Sequence, residues 1–352
     1  MNKLSDYSAH IEKVLRDIEY PGGVLTSLYE PISYAMQAGG KRIRPSLLLM
    51  AADAFGLKAE EAESAAVGIE LFHNFTLLHD DVMDASDVRR GRPSVHARWN
   101  VNTAILSGDT MLTLATQAIC RVPDSCLREV IDTFNRMAIR VYEGQRLDMD
   151  FETSEDVTLD DYLRMVADKT GALLGASARI GALIGGASEK DASRMEEYGM
   201  MLGLAFQIQD DWLDVFGDPS TFGKPIGGDI NNNKKSYLLL SALSQEGPEA
   251  VAIREAMKFP AGPGKVTTVT RLFEKAGVSE KCRAAINSYS KKALAALKAT
   301  SLSEEAREPF RLIVEKLTGR KKGPIHTLIY TWRIMPARSA TLWNARSAPE
   351  SH

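Results

Sequence analysis

Residues Glu60–Met83 read EEAESAAVGIELFHNFTLLHDDVM. Ala66, Ile69, Phe72, Phe75, Leu77 and Leu78 recur at the three-and-four spacing of an α-helix, and no proline interrupts them. The spacing predicts one long helix that runs into an acidic cluster, Asp80-Asp81-Val82-Met83-Asp84. The same D-D-x-x-D pattern returns as Asp210-Asp211-Trp212-Leu213-Asp214, near the end of a second helical run, Ala192–Phe216. Only Gly199 and Gly203 weaken that second run, and glycines four apart leave room for close helix packing.

Helical spacing is also present at Ser5–Tyr20, Pro45–Ala54, Asn102–Ile119, Leu127–Glu143, Leu159–Ile184, Lys234–Leu243, Val266–Ala276 and Lys281–Lys298. No segment alternates in the manner of a strand, and no hairpin joins two β-branched runs. The expected class is all-α. Loops are expected at Ala38-Gly39-Gly40, at Arg89–Ser94 and at Gly217–Asn233. The last is rich in turn residues and follows the second acidic cluster, where it is placed to act as a lid. No linker divides the chain, so residues 1–321 read as a single domain. From Lys322 to His352 the composition changes to Trp332, Trp343, several arginines and one acidic residue, Glu350, which suggests a poorly ordered extension.

The whole chain has 352 residues, 44% hydrophobic and 25% charged, as in ordinary globular proteins. A net charge of -3 gives no global sign of nucleic-acid binding. Cys120, Cys126 and Cys282 have no metal-site spacing and are too few for a disulfide framework, which fits a reducing, cytoplasmic setting. The start of the chain lacks an apolar signal core, and Gly171–Gly186 is too short to span a membrane and contains Arg179.

Carboxylates at i and i+4 lie one turn apart on one helix face and repel. One such cluster is as readily a helix cap or a solvated turn. Two, each inside an apolar segment, point to a cation that compensates both. Oxygen ligands of this kind suit Mg²⁺, which takes one or two carboxylates, keeps waters and is completed by phosphates. The basic groups supply the complement: Gly40-Lys41-Arg42-Ile43-Arg44-Pro45, Arg89-Arg90-Gly91, Lys169-Thr170-Gly171, Lys224 and Lys234. Each alone is ordinary surface charge; around Mg²⁺ they would match diphosphate oxygens. His73 lies two turns before Asp80, a spacing that fits a core histidine equally well.

These motifs, in this order, resemble the trans-isoprenyl diphosphate synthases, the polyprenyl synthetase family. The resemblance rests on Gly39–Pro45, Leu77–Asp84 with Arg89-Arg90-Gly91, Lys169-Thr170-Gly171, Phe206–Asp214, and Gly223-Lys224 through Lys234. It covers the chain to about Lys321, while the tail departs from the family pattern. It implies a bundle of long helices around a deep central cavity with an acidic cluster on each of two walls. Asp80, Asp84 and Asp210 would hold three Mg²⁺ ions around an allylic diphosphate, supported by Asp81, Asp211 and Asp214. Arg89, Lys169, Thr170, Gln207, Lys224 and Lys234 would contact the allylic substrate, and Lys41, Arg44, His73 and Arg90 isopentenyl diphosphate. A homodimer is implied as well.

Two rivals have their own signatures. A terpene cyclase needs no isopentenyl pocket and carries a different second metal motif. A regulatory subunit of a heteromeric synthase usually lacks one acidic cluster, whereas this chain has both. Phe75 and Thr76, five and four residues before Asp80, would set product length from the cavity floor. Their pairing resembles that of short-chain geranylgeranyl rather than farnesyl diphosphate synthases, which implies a C20 product, with C15 the nearest alternative.

Overall fold

The computed structural model describes residues 4–218 and 226–318. Lys224, part of the Gly217–Asn233 loop and the tail from Lys322 lie outside the described residues. The chain forms two compact units, each assembled from two sequence segments. One takes residues 4–50 and 58–127, the other 51–57 and 128–318.

The first unit contains α1 (Leu4–Arg16), α2 (Thr26–Met36), most of α3 (Ile43–Ala54), α4 (Glu63–Met83), α5 (Val95–Arg98) and α6 (Val101–Ile119). The expected Glu60–Met83 helix is present, its first residues forming a 3₁₀ turn, Ala59–Ala62. From Ala65 to Phe72 every residue of α4 is buried, so this is an interior helix rather than an amphipathic one. Two glycines let α4 and α6 approach. A Cβ at Gly68 would stand 2.9 Å from the Ala115 carbonyl oxygen, and one at Gly108 only 2.3 Å from His79 Nε2. Asn100 starts α6 by accepting from the Thr103 amide.

Among the described residues the β structure is one two-stranded ladder, Val88–Arg89 against Arg92–Pro93. The sequence predicts a plain loop over this segment, and the ladder is a small correction. Arg90 and Gly91 both have positive φ, +53° and +74°, the pattern of the tight turns that match strand twist. Arginine at the first of these positions hides the turn from a sequence reading.

The second unit contains α7 (Leu127–Thr153), α8 (Leu159–Val166), a π-helical turn (Ala167–Gly171), α9 (Ala172–Ile184), α10 (Glu189–Phe216), α11 (Gly228–Asn231), α12 (Tyr237–Leu243), α13 (Pro248–Ala256), α14 (Pro263–Lys275), α15 (Val278–Lys298) and α16 (Glu304–Thr318). Helix α10 meets the π turn and α9 glycine against glycine. A Cβ at Gly203 would lie 2.7 Å from the Gly171 Cα, and one at Gly199 would lie 2.7 Å from the Gly175 Cα. The glycine pair thus packs helices closely, as its spacing suggests. Trp212, Ile208, Tyr162, Leu238, Val269, Phe273 and Ile286 belong to the apolar core around α10.

Several boundaries differ from expectation. Helix α7 continues ten residues beyond Glu143, because Gly144 is a contact point and not a stop. The expected Leu159–Ile184 helix is interrupted by the π turn. Helix α12 starts at Tyr237 rather than Lys234, where the Ser236 hydroxyl caps the Leu239 amide. Helices α2, α13 and α16 have no counterpart among the expected ones; Pro31 and Pro309 lie inside α2 and α16 and mask their periods.

Candidate active site

In the first unit the acidic cluster occupies the last turn of α4, with Asp84 as its C-cap. A helix C-terminus already carries partial negative charge, so carboxylates there are doubly unfavourable. Arg89, on the hairpin, supplies a local cation. Its Nε and Nη2 donate to Asp81 Oδ1 at 2.8 and 2.5 Å, and Nη2 lies 3.5 Å from Asp80 Oδ2. Asp81 is thereby buried and committed to the protein.

The same unit gathers arginines around His73. Arg44 Nη1 lies 3.2 Å from His73 Nε2. Burial, then the charges of Arg44, Arg90, Arg42 and Arg89, hold the His73 pKa well below its usual value. The ring is neutral at pH 7, so Nε2 accepts from Arg44. Arg42 serves the scaffold instead. It is buried and donates to Glu12 (2.7 Å), Glu70 (2.5 Å) and the Met36 carbonyl (2.6 Å). Arg90 donates to the Gly39 carbonyl, and a Cβ at Gly40 would lie 3.1 Å from its guanidinium. Gly39 and Gly40 also have positive φ, +76° and +144°, so the double glycine serves both the turn and the close approach. Lys41 beside it is exposed.

In the second unit Asp210 and Asp214 sit one turn apart near the end of α10. Asp211 between them is buried; its Oδ2 accepts from Tyr162 Oη (2.6 Å) and the Tyr237 amide (2.8 Å), its Oδ1 from Gln207 Nε2 (3.2 Å). Thr170 Oγ1 donates to Gln207 Oε1 at 3.4 Å, which links the π turn to α10. Asp214 accepts from the Asp229 amide at 3.0 Å. Burial and the charge of Asp211 raise its pKa, against backbone hydrogen bonds from Asp229 and Gly228 and the charge of Lys234. Lys234 itself is exposed.

Lys169 projects from the π turn and donates to Asp148 Oδ2 at 2.5 Å. A π turn widens the helix and re-aims its side chains, and such turns recur at functional sites. This one is wedged against α7: a Cβ at Gly144 would stand 2.3 Å from the Lys169 amide nitrogen. Arg140 pins the adjacent Asp168 at 2.7 Å. Asp148, the partner of Lys169, is absent from the candidates read in the sequence, because the expected α7 ends before Gly144. The spacing Gly144 to Asp148, one turn, is the available sign.

Phe75 is buried, with ring contacts to Phe72 at 5.6 Å and to His79 at 4.8 Å. Thr76 is half-buried and donates to the His73 carbonyl at 2.8 Å.

The donor set suits a hard divalent cation. In each cluster the middle carboxylate is consumed by protein donors, Asp81 by Arg89 and Asp211 by Tyr162 and Tyr237. Within each unit, among the described residues, no three acidic, histidine or cysteine side chains form a ready-made cage. Such a chain would hold Mg²⁺ through one or two carboxylates at a time, with waters and phosphate oxygens completing the shell.

Known proteins are similar to this chain in sequence and in structure. The polyprenyl synthetase family profile matches residues 26–275. A geranylgeranyl diphosphate synthase of Methanosarcina mazei is 39% identical over 247 residues, 70% of this chain and 76% of that protein. A short chain isoprenyl diphosphate synthase of Methanothermobacter thermautotrophicus is 36% identical over 299 residues, 84% of this chain and 91% of that protein. A crystal structure of a geranylgeranyl pyrophosphate synthase superposes with a TM-score of 0.86 at 40% identity, covering 92% of this chain and all of that one. The chain belongs to the polyprenyl synthetase family and is a prenyltransferase.

Proposed function

We propose that this enzyme condenses isopentenyl diphosphate head to tail with an allylic diphosphate to give a short-chain all-trans prenyl diphosphate, chiefly of C20 length. The observation that carries the reading is the cation group in the first unit, Arg44 on neutral His73 with Arg90 folded over Gly40, in the same unit as the first acidic cluster. A terpene cyclase has no use for a second diphosphate pocket. A regulatory subunit has no use for two intact acidic clusters.

Lys41, Arg44, His73 and Arg90 would bind the diphosphate of isopentenyl diphosphate, which is not cleaved. Arg89, Lys169, Thr170, Gln207, Lys224 and Lys234 would bind and orient the allylic diphosphate, which is. Asp80, Asp84, Asp210 and Asp214 would ligate Mg²⁺, three ions per active site, with Asp81 and Asp211 fixing their neighbours. When bound, Mg²⁺ would stabilise the charge that develops on the leaving diphosphate. Lys169 adds a point charge to that same group, and Asp148 holds its ammonium until substrate arrives. Ionisation of the allylic C–O bond yields a carbocation and diphosphate; C4 of isopentenyl diphosphate attacks the cation, and the released diphosphate takes the proton. No covalent nucleophile is needed. Exclusion of water falls to the loop after α10.

A homodimer fits the apolar side chains that α6 leaves exposed, Val101, Ile105 and Leu106, the last 59% exposed. No described helix is long and apolar enough to cross a membrane, and we place the enzyme in the cytoplasm. The catalytic domain is assigned to residues 1–321, with 322–352 as an appended tail. The test is mass spectrometry of products formed with Mg²⁺ from isopentenyl diphosphate and, separately, dimethylallyl, geranyl or farnesyl diphosphate. Absence of any elongated product from all three would sink the proposal.

A further inference from the structure

Residues 227–234 are held by Asp214 and by groups that the proposed reaction leaves unused. The Gly227 amide donates to the Asp214 carbonyl (2.7 Å) and the Asp229 amide to Asp214 Oδ2 (3.0 Å), which ties α11 to the end of α10. The Lys234 amide then returns to the Asp229 carbonyl at 2.9 Å. Helix α14 grips the same segment twice. The Gly262 amide donates to Asn231 Oδ1 at 2.9 Å, and Lys265 Nζ donates to Asn233 Oδ1 at 2.7 Å. The run Asn231-Asn232-Asn233 therefore offers its first and third members as acceptors.

Asn233 has φ +54°, in the left-handed region that asparagine enters more readily than most residues. The reversal at Asn233 sets the direction in which the next residue, Lys234, leaves the backbone. The Lys234 amide is itself fixed on the Asp229 carbonyl, at 2.9 Å. Lys265 is only 3% exposed, and its ammonium donates to an amide oxygen rather than to a carboxylate. A covered ammonium with a neutral acceptor is unfavourable beside an apolar side chain of equal size, so stability alone does not account for it.

We infer that Lys265 is a positioning residue for the allylic diphosphate: through Asn233 it fixes the turn from which Lys234 projects. The inference rests on the reading of Lys234 as an allylic-diphosphate contact. Lys265→Met keeps the length of the side chain and removes the ammonium. In steady-state kinetics with Mg²⁺, the KM for the allylic diphosphate should rise about fivefold or more, while that for isopentenyl diphosphate stays within about twofold. Lys265→Arg should recover most of the loss. Asn233→Gly keeps the positive φ without strain and removes the acceptor, so it should show the same selective defect. Two residues acting through one hydrogen bond are not additive, so the double variant should be no worse than either single one.

Unchanged allylic KM in both single variants, equal effects on both substrates, or defects that multiply in the double variant would overturn the inference. Lys234→Ala separates it from its premise. If the wild type is active and Lys234→Ala leaves allylic KM unchanged, the reading of Lys234 fails and the inference with it. If Lys234→Ala is impaired but Lys265→Met is not, only the inference fails.

Discussion

At the scale of single residues, each acidic cluster divides its labour. The middle carboxylate is spent on the protein, Asp81 on Arg89 and Asp211 on Tyr162 and Tyr237, and the flanking ones are the proposed metal ligands. Asp80→Ala or Asp210→Ala should lower kcat by about 10²-fold or more, the scale of losing a preorganised electrostatic group. Circular dichroism on the same samples should show a native fold; near-normal turnover in either variant would remove that residue from the site. The cationic groups should divide by substrate. Arg44→Ala should mainly raise KM for isopentenyl diphosphate, whereas Lys169→Ala should lower kcat and weaken the allylic substrate. Equal effects on both substrates in both variants would contradict the assignment.

His73 makes a prediction of a different kind. Unfolded, it takes up a proton near pH 6.5; folded, burial and its four arginine neighbours keep it neutral well below that. The unfolded state then binds more protons as pH falls through about 6.5, and stability is lost. Thermal melts between pH 7 and pH 5 should therefore fall less steeply for His73→Gln than for the wild type. Parallel slopes would mean that His73 titrates normally in the folded chain.

At the scale of elements, what is legible in the sequence follows from periodicity. Helices α4 and α10 announce themselves through apolar spacing, and the Gly199–Gly203 pair announces its close packing. What stays hidden is set by contacts between elements. Gly144 reads as a helix end, yet it is where α7 meets the π turn that carries Lys169. Asp148 is lost with it. Likewise Lys41, Arg42 and Arg44 are alike as a string, and only Glu12 and Glu70 mark Arg42 as a strut. The double glycine before them is plain as a turn; that Gly40 also seats Arg90 is not, since the two lie far apart in the chain. Helix α4 carries its own test. Phe75→Ala should lengthen the product by one or more five-carbon units, and Thr76→Phe should shorten it. An unchanged distribution in both active variants would show that Phe75, packed on Phe72 and His79, is ordinary core and that length is set elsewhere.

At the scale of the whole molecule, two compact units each carry one acidic cluster near the end of a long helix. A helix end and carboxylates one turn apart both disfavour negative charge, so neither pair of flanking carboxylates is explained by stability. A divalent cation that arrives with a diphosphate explains both. The most direct measurement is to incubate the purified protein alone with isopentenyl and farnesyl diphosphates, with Mg²⁺ or with EDTA, and to identify the products by mass spectrometry. The expected result is geranylgeranyl diphosphate as the main product with Mg²⁺, negligible turnover in EDTA, and recovery when Mg²⁺ is restored. Elongation that persists in EDTA, or a cyclised hydrocarbon in place of an elongated diphosphate, would contradict it.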